Sequence, residues 1–262
     1  MPESSCGTYL LGLIPGGTAA KQFFSHYTVN ATSEVLLKTM AGEDARRYVY
    51  NAVVSFLGGL SGLRTQEAAW AVTRFYYSAF YVGRGALCRS DRIIFHAPKP
   101  SATGYTQYEL VIKAGEQAAV VSNPPSTHKL VARRFREQGY PTFMSALDVN
   151  GQDPFNWLME QREYWQYRAA RFSDPDTPTV LYEIDMARIQ RLLEEYLADR
   201  IGLYLADPDH ALLAIPFRLL IWALSQESLL SAGAATENDL AYLRKRCRIG
   251  NQTLVAIQKL LV

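Results

Sequence analysis

Residues 65–87 form a segment whose apolar and aromatic side chains cover nearly every side of a helix. These side chains belong to Trp70, Val72, Phe75, Tyr76, Tyr77, Phe80, Tyr81 and Leu87. A helix that is apolar all round is stable only when other elements surround it, so the segment predicts the central helix of a helical domain. Thr65 is predicted to cap this helix, because its hydroxyl can accept a hydrogen bond from a first-turn N–H group. Gly83 and Gly85 near its end indicate either close packing against another helix or a break.

Shorter patterns predict helices before this segment and a small sheet after it. Apolar spacing indicates a helix start at Thr32 and a second helix over residues 44–57, which ends at the Gly58-Gly59 pair. Short stretches rich in β-branched and other apolar residues, separated by turn signals, predict a β-hairpin insertion over about residues 92–122.

Five further helices are predicted after the insertion. Ser126 or Thr127 caps a short basic helix that ends near Gln138, and Asp153 followed by Pro154 starts the next helix. The helices after the basic one cover residues 155–171, 186–204, 211–230 and 238–262, and the last of these segments is either one helix or a pair. The predicted fold class is therefore mainly α, a helical bundle with a small β-hairpin insertion and a C-terminal helical extension. Three regions are expected: an N-terminal segment with one or two helices (1–64), a core that holds the insertion (65–178) and a C-terminal helical region (179–262).

Charge restricts the function classes that the chain can serve. Of its 262 residues, 48 % are hydrophobic and 20 % are charged, which is typical of a globular protein and excludes disorder. A formal net charge of +2 does not suit a general binder of polyanions, so contact with nucleic acid would need a local basic patch. Basic residues cluster at 129–136 and at 244–248, although each cluster is also typical of a solvated helix face.

Metal, cofactor and membrane functions have no support in the sequence. The four histidines are isolated, and there is no Gly-rich phosphate loop or nucleophile turn, so neither a metal site nor a cofactor is expected. Three distant cysteines predict no disulfide framework and a reducing compartment, which makes the expected location cytoplasmic. No apolar run is long enough to span a membrane.

Three segments carry a resemblance to a known family. Residues 74–80 read Arg-Phe-Tyr-Tyr-Ser-Ala-Phe, residues 126–130 read Ser-Thr-His-Lys-Leu, and residues 162–168 read Arg-Glu-Tyr-Trp-Gln-Tyr-Arg. In this order, over about residues 68–172, they resemble the HEPN domain superfamily. The Arg-Glu-x-x-x-Tyr-Arg run is most similar to YaaC-like HEPN proteins, and the β insertion departs from the minimal form of the domain.

The resemblance implies a site for RNA. Active HEPN ribonucleases use an arginine that holds the scissile phosphate and a histidine that moves a proton without a metal, with four to six residues between the two. Two copies usually form one composite site, so a homodimer is expected. Here Arg162 matches the arginine, but Tyr167 stands in the histidine position, and a phenol with a pKa of about 10 is a poor proton carrier at neutral pH.

Two function hypotheses follow from this substitution. The first is a catalytically degenerate HEPN-like module that binds RNA, a nucleotide or a protein partner, with a bacterial defence or toxin–antitoxin system as its expected setting. The alternative is a metal-independent HEPN ribonuclease that acts as a dimer. A purely structural interpretation would pair Arg162 with Glu160, or with Glu163 of a second copy of the chain.

Several other residues are candidates for the site. Arg89 and His96 have six residues between them and form an alternative catalytic pair by spacing, although such a match also arises by chance. The residues expected to bind RNA or another ligand are Arg168, Tyr164, His128, Lys129 and Arg133. His128 also fits a structural role, as a helix-capping or core histidine.

Overall fold

The computed structural model describes residues 4–99, 104–121, 126–139, 141–145, 148–168, 178–182 and 184–226. Its elements are, in chain order, α1 (Ser5–Gly12), α2 (Ala20–Phe24), α3 (Ala31–Arg64), α4 (Ala68–Arg89), β1 (Arg92–Pro98), β2 (Tyr105–Val111), β3 (Ala119–Val120), α5 (Thr127–Glu137), α6 (Thr142–Ser145), α7 (Pro154–Glu163), a π-helical turn (Tyr164–Arg168), a 3-10 turn (Thr179–Leu181), α8 (Met186–Ala198), α9 (Leu203–Ala206) and α10 (Pro208–Ser225). The described chain is mainly helical with one three-stranded antiparallel sheet, which confirms the predicted mainly α class.

α3 and α4 pack side by side in antiparallel directions. The Phe75 ring of α4 lies against the backbone of Gly59, and the carbonyl oxygen of Ala45 lies 3.2 Å from the place that a Cβ atom on Gly85 would occupy. Because glycine has no side chain at these contacts, the two backbones approach more closely than larger residues would allow. Of the two alternatives for the glycines near the end of α4, close packing is therefore the one observed.

Two predicted helix boundaries are wrong. α3 runs through Gly58 and Gly59 as one helix of 34 residues, instead of two helices of which the second ends at this pair. Thr65 ends α3, since its N–H group and its hydroxyl both bond carbonyl oxygens of the last turn of that helix. α4 begins after Glu67 with no side-chain hydrogen bond at its N-cap. Packing between the helices, rather than local propensity, decides how far α3 extends.

α4 is the central helix, as predicted. α3, α5, α7, α10 and β1 all pack against it. Phe75, Tyr76 and Phe80 are fully buried. One side of α4 stays nearer to solvent, where Trp70 is 56 % exposed and Tyr77 is half-buried.

The sheet confirms the predicted β insertion, with its strands in the order β1-β2-β3. His96 lies opposite Gln107 in the β1–β2 register, and Glu109 follows two residues later, so the three side chains share one face. This face is turned towards α5. The Glu109 carboxylate pairs with the Arg134 guanidinium at 2.6 Å, and the His96 Nε2 atom lies 3.0 Å from the Thr127 hydroxyl oxygen.

The residues before α3, for which the sequence predicts no element, form the short helices α1 and α2. α1 packs on α3 and on β1. The buried Asp44 carboxylate of α3 accepts hydrogen bonds from the backbone N–H groups of Ser5, at 2.7 Å, and Cys6, at 3.0 Å. A carboxylate at this position satisfies two unpaired donors and matches the positive end of the α1 dipole.

The C-terminal region differs from its prediction at one point. The helix predicted over residues 186–204 is interrupted between α8 and α9, where Gly202 has a φ of +80° and Asp199 accepts a hydrogen bond from the Tyr204 N–H group. α10 is largely buried and packs on α4 and α3. The last predicted helix and the basic cluster at 244–248 lie outside the described residues, and the division into three regions stays a prediction. No helix in the described ranges is both long and apolar enough to cross a membrane.

Candidate functional site

His128 is the second residue of α5, at the point where this helix begins against α4. Its Nδ1 atom lies 2.6 Å from the hydroxyl oxygen of Tyr76, 52 residues away in the sequence. Its ring stacks on Phe80 with 4.3 Å between the ring centres. Ser126 caps α5 by accepting a hydrogen bond from the Lys129 N–H group, so the cap fixes where the helix starts and thereby where the imidazole lies.

Arg162 lies in the last turn of α7, and its side chain contacts Tyr76 and the neighbouring Tyr77. Its guanidinium carbon lies 5.6 Å from the ring centre of Tyr76 and 5.8 Å from that of Tyr77, distances typical of cation–π contacts. The Arg162 Nε–H group donates to the Gln166 side-chain oxygen at 3.0 Å. Gln166 belongs to the π-helical turn that follows α7, and such turns are frequent at functional sites.

Tyr76, Tyr77, His128 and Arg162 therefore form one group of side chains, which we call the His–Tyr–Arg cluster. Three helices supply it: α4 provides the tyrosines, α5 the histidine and α7 the arginine. Tyr76 is buried, while the other three side chains are half-buried, so solvent reaches the cluster.

The environment keeps both titratable partners of the central hydrogen bond neutral. Burial lowers the pKa of His128 to about 4, and the positive charges of Arg162 and Arg84 act in the same direction. Burial also raises the pKa of the Tyr76 hydroxyl well above its usual range, and the opposing effect of Arg162 is smaller. At neutral pH the imidazole is thus uncharged and the phenol keeps its proton.

This protonation state assigns the hydrogens of the pair. The Tyr76 hydroxyl is buried, so its hydrogen needs an acceptor, and among the described residues His128 Nδ1 is the one within reach. A neutral imidazole that accepts at Nδ1 carries its proton on Nε2. His128 therefore offers an N–H donor on its other nitrogen.

The other candidate residues lie around or away from the cluster. Lys129 and Arg133 are exposed on the outer side of α5, and Arg133 lies 4.0 Å from Glu137. Tyr164 is 39 % exposed and meets the Trp165 ring edge-on. Tyr167 and Arg168 belong to the π-helical turn, but their side chains lie outside the part of the chain that the structure describes.

The alternative pair of Arg89 and His96 is not brought together. Arg89 is the last residue of α4 and is exposed, whereas His96 lies in β1 and contacts the start of α5 through Thr127. His96 lies four positions after Arg92, the first residue of β1, which is about 13 Å of extended chain. Spacing in the sequence therefore does not create a site here.

Sequence reasoning missed two residues. Tyr76 was assigned to the core, but it also orients His128. Arg84 is only 9 % exposed, lies 4.5 Å above the Tyr48 ring and donates to the Ile94 carbonyl oxygen at 2.9 Å. The available signal was its position, since a cation inside an otherwise apolar helix needs a reason to be there.

No group of three or more potential metal ligands occurs among the described residues. Comparison with protein-family models, curated proteins and solved structures finds no match for the chain.

Proposed function

We propose that the chain is a HEPN-like module that binds single-stranded RNA through the His–Tyr–Arg cluster. The observation that carries this proposal is the convergence of Arg162 and His128 on Tyr76 at a solvent-accessible place. The resemblance of residues 74–80, 126–130 and 162–168 to the HEPN superfamily supports it, because all three segments contribute to this one cluster.

The chemistry of the cluster fits a phosphodiester. A guanidinium binds phosphate oxygens through charge-assisted hydrogen bonds, and the His128 Nε2–H group adds a neutral donor. The half-buried ring of Tyr77 and the more exposed ring of Tyr164 supply flat surfaces on which unpaired bases stack. Lys129 adds an exposed positive charge on α5. These features favour single-stranded RNA over a protein partner.

The protonation of His128 supports binding rather than cleavage. A group with a pKa of about 4 is a weak base at neutral pH. Its Nε2 atom also carries a proton when Nδ1 accepts from Tyr76, so it has no lone pair for the 2′-hydroxyl proton. Acting as a base would require the other tautomer, which would leave the buried Tyr76 hydroxyl hydrogen without an acceptor.

The second candidate function is metal-independent ribonuclease activity. It is favoured by the presence of a histidine, His128, beside Arg162 even though Tyr167 occupies the expected position. A bound phosphate would offset the Arg162 charge and raise the pKa of His128 towards its ordinary value. This mechanism needs the tautomer change described above.

We also propose that the module acts as a homodimer in the cytoplasm. The exposed Trp70 and the neighbouring half-buried tyrosines of α4 give the aromatic composition that interfaces favour. The free, buried cysteines Cys6 and Cys88 suit a reducing compartment. The defence setting rests on the family resemblance alone.

Fluorescence anisotropy with a labelled single-stranded RNA tests the binding function. We expect Arg162→Gln to weaken binding by about tenfold or more. The slope of the logarithm of the binding constant against the logarithm of salt concentration should fall by about the amount of one phosphate contact. Arg191→Gln is the matched control, because Arg191 is exposed on α8 and its loss changes the net charge equally. Equal effects of the two variants, or no binding by the unmodified chain, would refute the proposal.

A cleavage assay in EDTA separates the two functions. RNA that stays intact while it binds supports the degenerate module. Cleavage that both Arg162→Gln and His128→Gln abolish would instead establish the ribonuclease.

A further inference from the structure

Arg84 is a buried cation without a carboxylate partner in the described chain. It is 91 % buried, and its contacts are one hydrogen bond to the Ile94 carbonyl and the face of the Tyr48 ring. None of the ion pairs among the described residues includes it. An uncompensated charge is costly to bury, so this position calls for a negative charge from elsewhere.

Two buried carboxylates on elements next to Arg84, those of Glu109 and Asp44, already have other partners. Glu109 lies on the sheet face that is turned towards α5, but it pairs with both Arg92 and Arg134. Asp44 is buried on α3 and accepts the first N–H groups of α1. Neither acid neutralises Arg84 by direct contact.

The sheet whose strand β1 bonds Arg84 carries a second buried donor without a partner among the described residues. Gln107 is 5 % exposed, and its side-chain nitrogen has no hydrogen-bond acceptor among the described residues. Its cross-strand neighbour is His96, whose ring bonds Thr127 at the start of α5, so Gln107 shares the face that meets this helix end. A buried amide nitrogen without an acceptor is destabilising, and a ligand oxygen that accepts from it would remove this cost.

The start of α5 adds further donors and a positive potential. Ser126 accepts only from the Lys129 N–H group, which leaves the N–H groups of Thr127 and His128 without a partner in the described chain. α5 has 11 residues, and the first N–H groups of a helix of this length favour anions. The Arg84 guanidinium bonds the carbonyl of Ile94, two residues before His96 in β1, and His96 contacts Thr127 at this helix end.

We propose that Arg84, the Gln107 amide and the first N–H groups of α5 form a binding site for a tetrahedral oxyanion of the phosphate class. Every group in this set is a donor, and one carries a full charge, so a phosphate oxygen is the complementary ligand. Half-buried Thr127 and His96 form its solvent-facing edge. The site stands independently of RNA binding at Arg162.

Thermal unfolding at constant ionic strength tests this site, with inorganic phosphate as the probe and chloride as the control ion. We expect phosphate to raise the melting temperature of the unmodified chain in a saturable manner. Gln107→Leu should weaken phosphate binding by about tenfold and Arg84→Met should abolish it, while Arg162→Gln should leave it unchanged. Both altered side chains are close in volume to the originals, and removing an uncompensated polar group should keep or raise the melting temperature in chloride.

If Arg84→Met does not fold, Gln107→Leu alone decides the test. A shift with phosphate that equals the shift with chloride, or a saturable shift that Gln107→Leu leaves intact, would overturn the proposal.

An oligoribonucleotide added at saturating phosphate distinguishes the source of the anion. Competition that Gln107→Leu removes indicates an RNA phosphate at the site, whereas independent binding, or competition that persists in Gln107→Leu, indicates free phosphate, and either result is compatible with the site. Because Arg162→Gln is predicted to weaken RNA binding but to leave the phosphate shift unchanged, failure of one proposal is distinguishable from failure of the other.

Discussion

Replacing His128 by glutamine should remove a defined part of the acid sensitivity of the fold. The environment lowers the pKa of His128 from its ordinary value of about 6.5 to about 4, so the folded chain binds fewer protons than the unfolded chain between these values. The neutral imidazole thus contributes stability that is fully present above pH 6.5 and is lost as the pH falls towards 4. The complete loss is about 3 kcal/mol, and the part lost between pH 7 and pH 4.5 is about 2 kcal/mol.

Urea unfolding at pH 7 and at pH 4.5 measures this contribution. Glutamine does not titrate and can still bond the Tyr76 hydroxyl, so His128→Gln should lose about 2 kcal/mol less than the unmodified chain between the two pH values. Burial also lowers the pKa of His96, but that contribution is common to both proteins. His26→Gln is the matched control, since it makes the same exchange at a position that is exposed on the surface. If His128→Gln loses as much stability on acidification as the unmodified chain, His128 does not lie in the environment described above.

The remaining predictions concern the packing of α3. Gly59→Ala should destabilise the chain by about 1–3 kcal/mol in urea unfolding, because a Cβ atom would meet the buried Phe75 ring at 2.5 Å. Gly42→Ala in the same helix should stabilise it by about 0.5–1 kcal/mol, since nothing lies within 4 Å of its added carbon; equal effects of the two substitutions would contradict the packing described for α3 and α4. Asp44→Asn should cost about 2 kcal/mol, because an amide cannot accept from both Ser5 and Cys6 as the carboxylate does, and an unchanged free energy of unfolding would argue against this cap.

Local patterns were sufficient for much of the fold. The apolar segment around Phe75 predicted the central helix, because a helix that is apolar on every side is stable only when other elements surround it. Asp153, and either Ser126 or Thr127, were predicted as caps because a cap acts on its own first turn. In the structure Ser126 and Asp153 accept first-turn N–H groups. The β insertion was also predictable, since β1, β2 and β3 all lie within the predicted range of about residues 92–122.

Glycine shows where local reasoning fails. Gly58 and Gly59 were interpreted as a helix end because glycine has low helix propensity. In the structure they lie inside α3, where α4 packs against them and the Arg74 side chain covers Gly58. The favourable contacts of a second helix outweigh the local cost, and no pattern within α3 reveals which helix will lie there.

The sequence by itself determined the helical class, the position of the central helix and the candidate Arg162, because these depend on composition, periodicity and short motifs. Only the tertiary structure decided which histidine lies near that arginine. Tyr167 occupies the position along the chain where the resemblance expects a histidine. The histidine near Arg162 is instead His128, which comes from another helix and is held by Tyr76. A site built from three helices depends on how those helices pack, and packing combines contacts between residues that are distant in the sequence.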